Sequence, residues 1–144
     1  MKSICFLLSF LLINSLQLVI GDGDDDAASI LTKCQIEVDA PDDEVKLIVD
    51  KKMPTSHIGF CLLTCLYEHA GIIEDGEFVV ENLNKLIGGS DGGSVGGRMA
   101  KQFIKEVTKD CKDVHNDDKC YLSRDIVLCA AESISKHASL LKEL

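Results

Sequence analysis

The sequence lacks an excess of basic residues. It has 15 Lys and Arg against 24 Asp and Glu, which gives a formal net charge of −9. Nucleic-acid affinity comes largely from Lys and Arg that neutralise phosphates, so this composition argues against a nucleic-acid partner. It also disfavours an anionic membrane surface. Beyond the N-terminus there is neither an apolar run of membrane-spanning length nor the period-two alternation of a half-buried strand. The remaining patterns are helical, so the sequence predicts an all-α chain.

Patterns for cation and phosphate sites are incomplete. The acidic stretch DGDDD at 22–26 does not start a calcium loop, because the sixth position is not glycine and the twelfth is Lys33 instead of glutamate. The glycine-rich stretch 88–99 ends in Arg98 and Met99, where a P-loop needs Lys followed by Ser or Thr. We interpret this stretch as a flexible connector, and we predict neither a cofactor nor a metal site.

The first 21 residues have the order of a secretory signal peptide. Lys2 precedes an apolar run from Ile4 to Ile20, and the small residue Gly21 precedes an acidic cluster. A membrane anchor is the alternative, because the run is nearly long enough to span a bilayer, but no basic stop-transfer cluster follows it. We expect cleavage near Gly21, which leaves residues 22–144 as a single secreted, extracellular domain.

Apolar spacing and capping residues predict about six helices after the signal peptide. Ser56 is placed to cap the third helix, which Gly71 ends, and Gly88 ends the fourth. The predicted helices cover residues 27–38, 41–52, 56–71, 77–88, 96–111 and 119–137.

The third predicted helix is apolar on two opposite faces, and such a helix is buried on both. The face that carries the cysteines therefore packs on neighbouring helices. The opposite face packs either in an ordinary core or against a cavity. An apolar cavity of about 300 Å3 would lower the free energy of unfolding by roughly 7 kcal/mol. Three disulfides would raise it by a comparable amount, at about 2–4 kcal/mol each. One face carries Ile58, Cys61, Leu62, Cys65, Leu66 and His69, and the other carries Phe60, Leu63, Tyr67 and Ala70.

Seven cysteines are encoded, and Cys5 lies in the signal peptide. An even number in the exported chain indicates a disulfide framework. Cys61 and Cys65 point side by side from one helix face, whereas Cys120 and Cys129 point to opposite sides of another helix, so neither pair is expected to bond. Excluding them leaves ten of the fifteen pairings that six cysteines allow. The alternative is a zinc site at Cys61, Cys65 and His69, for which the chain lacks a further cysteine-rich ligand set and a reducing compartment.

The cysteine spacing, C-x26-C-x3-C-x45-C-x8-C-x8-C, resembles that of the insect odorant-binding proteins, a family that carries general odorants and pheromones. The x3 gap, the final x8 gap and the helical order carry the resemblance over the mature chain. It implies about six short helices around an internal apolar cavity. It also implies three interlocked disulfides: Cys34–Cys65, Cys61–Cys120 and Cys111–Cys129.

The resemblance further implies a non-catalytic carrier of a small hydrophobic organic ligand in sensillum lymph or another body fluid, with a membrane odorant receptor as a further partner. Tyr67 and Tyr121 each offer a hydroxyl that is available to a ligand or to water. The expected pocket lining is Val49, Met53, Phe60, Leu63, Tyr67, Phe78, Leu83, Met99, Phe103 and Tyr121.

Three other hypotheses remain open. A secreted signalling or venom-type helical protein would have the same disulfides around a solid core. A secreted phospholipase would need a catalytic His-Asp pair beside vicinal cysteines, and the acid-histidine groupings here, Glu68-His69 and the stretch 114–118, lack an activated nucleophile, so we predict no catalytic residues. Ligand release on acidification is the third hypothesis, because histidine is the side-chain type that most often acts as a pH switch near neutral pH. The sequence has four: His57, His69, His115 and His137.

Overall fold

The computed structural model describes residues 27–83 and 95–141, without the side chains of residues 95–97, 99–100 and 140–141. The predicted signal peptide, most of the glycine-rich stretch and the second half of the predicted fourth helix lie outside these ranges. None of the helices described is long and apolar enough to cross a bilayer. The five α-helices are α1 (Ala27–Val38), α2 (Asp42–Val49), α3 (His57–His69), α4 (Val95–Cys111) and α5 (Lys119–Lys136).

The first three helices end in the same way. Each is followed by a residue with a left-handed backbone, namely Asp39 (φ 54°), Lys51 (φ 60°) and Gly71 (φ 73°). The N–H of the next residue then donates to a carbonyl of the last helical turn, as from Ile72 to Tyr67 at 2.9 Å. This Schellman geometry satisfies carbonyls that a helix end leaves without partners. Glycine occupies this position only at Gly71, whereas Asp39 and Lys51 adopt the left-handed backbone as non-glycine residues.

The helix predicted to begin at Glu77 does not begin there. Ile73–Glu74 (β1) and Glu77–Phe78 (β2) form an antiparallel hairpin, in which Ile73 pairs with Phe78. The turn residues Asp75 and Gly76 both have positive φ, 51° and 77°. An Asp-Gly pair favours this two-residue hairpin turn because both positions need a left-handed backbone. The hairpin is followed by a 3-10 turn at Val80–Asn82, and a second 3-10 turn at Ala138–Leu141 follows α5.

Three disulfides connect four of the helices in series. Cys34–Cys65 joins α1 to α3, Cys61–Cys120 joins α3 to α5, and Cys111–Cys129 joins the end of α4 to α5. These are the pairs that the family resemblance implies. Their sequence loops overlap, because Cys61 lies before Cys65 and Cys111 lies before Cys120. The predicted helical, disulfide-linked fold is confirmed, with five helices in the described residues rather than about six.

A buried carboxylate connects α2 to the start of α3. Glu44 is only 3% exposed, and its oxygens accept hydrogen bonds from the Thr55 hydroxyl at 3.0 Å and the Thr55 N–H at 3.3 Å. Burial raises the pKa of this carboxyl, but hydrogen bonds from Ser56 and Thr55 outweigh burial and leave the pKa below its usual value. The Ser56 side chain also accepts from the Gly59 N–H at 3.1 Å, which confirms Ser56 as the N-cap of α3.

Gly59 faces Glu44 without room for a side chain. A Cβ at Gly59 would collide with the Glu44 carboxylate and would lie 2.8 Å from Cβ of Pro54. The glycine therefore allows α3 to begin directly against α2 and the loop that follows it.

We expect Gly59→Ala to destabilise the fold by about 1–3 kcal/mol, because overpacking at this contact outweighs the roughly 1 kcal/mol by which alanine favours a helix. Guanidinium unfolding with the disulfides intact measures the change. The matched background is Glu44→Ala, in which the carboxylate is absent and Gly59→Ala should cost less. An equal cost in both backgrounds, or a gain in stability from Gly59→Ala alone, would contradict this account of the contact.

Candidate functional site

Helix α3 lies at the centre of the described fold and contacts α1, α2, α5 and β1. Every residue from Leu62 to Tyr67 is buried. This burial confirms that both faces are covered, since Leu62 and Cys65 belong to one face and Leu63 and Tyr67 to the other. Thr64, which lies on neither of these faces, is buried too, and its hydroxyl donates to the Lys119 carbonyl at 2.9 Å.

The cysteine face of α3 is an anchoring surface. Cys61 and Cys65 are bonded to different helices, and their Cα atoms lie 4.3 Å and 5.7 Å from those of Cys120 and Cys34. In the part of the chain that the structure describes, His57 and His69 are the histidines that lie close to these sulfurs. A disulfide sulfur is not a thiolate, so these histidine–cysteine groups are not zinc sites.

The predicted lining residues fall into three groups. Leu63, Tyr67 and Leu83 belong to the buried core, with Met53 and Phe78 packed against it. Phe60, Phe103 and Tyr121 are partly buried, and Met99 lies on α4, where its side chain is outside the described residues. Val49 is 60% exposed on α2 and does not belong to the buried set. The structure thus places five of these residues in or against one apolar core: Met53, Leu63, Tyr67, Phe78 and Leu83.

A partly exposed aromatic cluster surrounds Tyr121 at the start of α5. The His57 ring meets the Tyr121 ring edge-on at 4.8 Å, and the Phe60 ring lies 6.0 Å away. The Arg124 guanidinium stacks over Tyr121 at 4.2 Å, an arrangement that favours a cation–π interaction. These contacts connect the first turns of α3 and α5 beside the Cys61–Cys120 disulfide. Sequence reasoning missed Arg124, although its three-residue spacing from Tyr121 is a signal for contact on a helix.

Asp118 organises the same region. One carboxylate oxygen caps α5 by accepting from the N–H groups of Cys120 at 2.9 Å and Tyr121 at 3.3 Å, and the other lies 2.8 Å from His57 Nε2. The hydrogen bond with His57 and the two backbone donors hold the pKa of the Asp118 carboxyl below its ordinary value, although partial burial acts in the opposite direction.

A second histidine joins α4 to the end of α5. His137 Nε2 lies 3.1 Å from an Asp110 oxygen and 3.5 Å from a Glu106 oxygen. The Ser133 hydroxyl donates to Asp110 at 2.8 Å and is the main reason that the pKa of Asp110 lies below its ordinary value. His57 and His137 are therefore both paired with carboxylates, and His57, His69 and His115 are exposed. Ligand release on acidification stays a prediction.

Comparison with known proteins gives two matches. A family model described as the PBP/GOBP family matches residues 23–133. The chain is similar to the solved structure of the odorant-binding protein dmelOBP28a from Drosophila melanogaster, with 19% sequence identity, a TM-score of 0.62, and coverage of 90% of this chain and 98% of that one. At this identity, the structural likeness shows the fold alone. Comparison with curated protein sequences gives no significant match.

The lowered pKa of Asp118 predicts how acid affects stability. A carboxyl with a lower pKa in the folded chain stabilises the fold above its unfolded pKa, and this contribution is lost as pH falls through the folded pKa. Asp118→Asn keeps a capping oxygen but removes the charge. We therefore expect it to lower the free energy of unfolding at neutral pH and to reduce the further loss as pH falls from about 5 toward 2.

Denaturant unfolding across this pH range measures the effect. Asp117→Asn is the matched control, because it removes the same charge from the exposed neighbouring residue. Its profile should follow that of the unmodified protein. Parallel profiles for Asp118→Asn and the unmodified protein would show that the charge of Asp118 does not stabilise the fold.

Proposed function

Because this chain belongs to the PBP/GOBP family, we propose that it is an extracellular carrier that takes a small hydrophobic molecule, such as an odorant or pheromone, into an internal pocket and transports it through aqueous fluid. The family consists of non-catalytic proteins that bind small hydrophobic ligands. The observation that carries the proposal is the family match over residues 23–133. A membrane odorant receptor that receives the ligand completes the proposed route.

The position of the disulfides supports an interior binding site. They hold α3 through its cysteine face, so the opposite face, with Leu63 and Tyr67, is not crosslinked. Met53, Phe78 and Leu83 belong to the same apolar region. A ligand placed there would gain about 25 cal/mol for each Å2 of apolar surface removed from water. Affinity in this proposal comes mainly from that burial.

Secretion is part of the proposal. Three disulfides require an oxidising compartment during folding. Residues 1–21 supply the signal peptide that would direct the chain there, and residues 22–144 form the exported domain.

We expect the oxidised protein to bind the hydrophobic fluorophore N-phenylnaphthylamine in a saturable one-to-one complex. Aliphatic ligands of increasing length should displace it with affinity that rises about fourfold for each methylene group, until the chain exceeds the space available. Fluorescence titration measures both effects. A solid-core signalling or venom-type protein would give no saturable complex, and hydrolysis of a phospholipid by the purified protein would favour an enzyme instead.

Binding on exposed apolar side chains must be separated from binding in the interior. Among the described residues, the exposed large apolar side chains outside the expected lining are Ile36 and Leu128, which are 75% and 55% exposed. The variant with serine at both positions should keep the fluorophore affinity of the unmodified protein. A marked loss of affinity in that variant would place the fluorophore on the surface and would contradict the interior site.

A further inference from the structure

Tyr67 is a buried phenol without an internal partner. It lies in the middle of α3 and is 4% exposed, and its hydroxyl makes no hydrogen bond within the part of the chain that the structure describes. Burial raises the pKa of this hydroxyl, so the phenol stays neutral and keeps its proton. A ligand oxygen that reaches this hydroxyl would gain a hydrogen bond that the described protein groups do not supply.

The other buried polar side chains of the described ranges are already paired. Their partners are protein groups, so none of them requires a ligand. Glu44 accepts from Thr55, Thr64 donates to the Lys119 carbonyl, Asn82 to the Gly71 carbonyl, Ser123 to the Phe60 carbonyl and Ser133 to Asp110. Tyr67 therefore differs from every polar residue buried to the same degree.

Thr108 on α4 has a hydroxyl that is fully buried without a partner, unlike any other side-chain polar atom of the described residues. A threonine inside a helix can turn its hydroxyl onto the carbonyl four residues earlier, so its own helix supplies an acceptor. A phenol hydroxyl stands at the far end of a rigid ring and cannot reach its own backbone in this way. Of the two hydroxyls, that of Tyr67 is the one whose acceptor must come from outside its own helix.

The charge of the interior restricts what that acceptor can be. Among the described buried residues, Glu44 is the charged one, and neither lysine, arginine nor histidine is buried. A carboxylate ligand would therefore lose its hydration without meeting a buried positive charge, which is strongly unfavourable. A neutral oxygen avoids this cost and still accepts a hydrogen bond.

We propose that Tyr67 donates a hydrogen bond to a neutral carbonyl or ether oxygen of the ligand, so that the protein prefers neutral oxygenated apolar molecules to hydrocarbons and to carboxylates of equal length. This inference rests on the proposed carrier function and specifies its ligand class. The apolar core around Leu63 and Leu83 provides most of the affinity, and Tyr67 determines which polar group on the ligand is preferred.

The test is displacement of N-phenylnaphthylamine by a medium-chain methyl ketone, the alkane with the same number of carbons and the corresponding carboxylate. The ketone should bind tightest to the unmodified protein. Tyr67→Phe keeps the ring and removes the hydroxyl. It should lower the ketone affinity about 2- to 12-fold, as expected for loss of one hydrogen bond, and should leave the alkane affinity unchanged.

One matched variant completes the design. Thr108→Val removes the other unpartnered hydroxyl and should have no selective effect. Circular dichroism and the mass of the oxidised protein show whether each variant is folded with its disulfides.

The results separate this inference from the carrier function. If the fluorophore and the alkane bind but Tyr67→Phe leaves the ketone affinity unchanged, or lowers both affinities equally, the role of Tyr67 is overturned and the carrier function is kept. Tighter binding of the carboxylate than of the ketone overturns the neutral ligand class. A selective loss in Thr108→Val moves the anchor to Thr108. Failure of the unmodified protein to bind the fluorophore and the alkane overturns the carrier function itself.

Discussion

The double attachment of α3 is the constraint on which the rest of this structure depends. Cys61 and Cys65 lie one turn apart on the same face, yet they bond to α5 and α1 respectively. A helix fixed to two neighbours at adjacent positions cannot rotate about its axis or slide along either neighbour without straining a bond. The two closures span 59 and 31 residues of sequence, so both also restrict the unfolded chain. The third disulfide extends the frame to the end of α4.

Polar contacts make this attachment specific at the ends of the helices. The Thr64 hydroxyl bonds to the Lys119 carbonyl, and Asp118 caps α5 while it holds His57 from the first turn of α3. The beginnings of both helices are thus aligned beside Cys61–Cys120. Glu44 and Gly59 have the same effect where α2 meets the start of α3. None of these contacts uses the side chain of Leu63 or Tyr67 on the opposite face of α3.

Features that depend on neighbouring residues in the sequence were predictable, and features that depend on the approach of distant elements were not. The bounds of α1 and the Ser56 cap follow from local periodicity and side-chain chemistry. The Asp75-Gly76 turn is also a local feature. The apolar spacing that follows it predicts a helix, where the structure has a strand and a 3-10 turn. The disulfide pairing needed the family resemblance, because helix geometry left ten pairings open. The burial of Thr64 and the exposure of Val49 could not be read from a pattern, since each depends on which helix lies alongside.

The groups that hold the helices of this fold together are separate from the interior face of α3. In this chain the groups that define the frame are the six bonded cysteines and a few caps, and these lie apart from Leu63 and Tyr67. In the proposed site, substitutions on this face would change the chemistry offered to a ligand while the disulfides still join the same helices. A fold stabilised in this way can accommodate new ligand preferences without redesign of its framework.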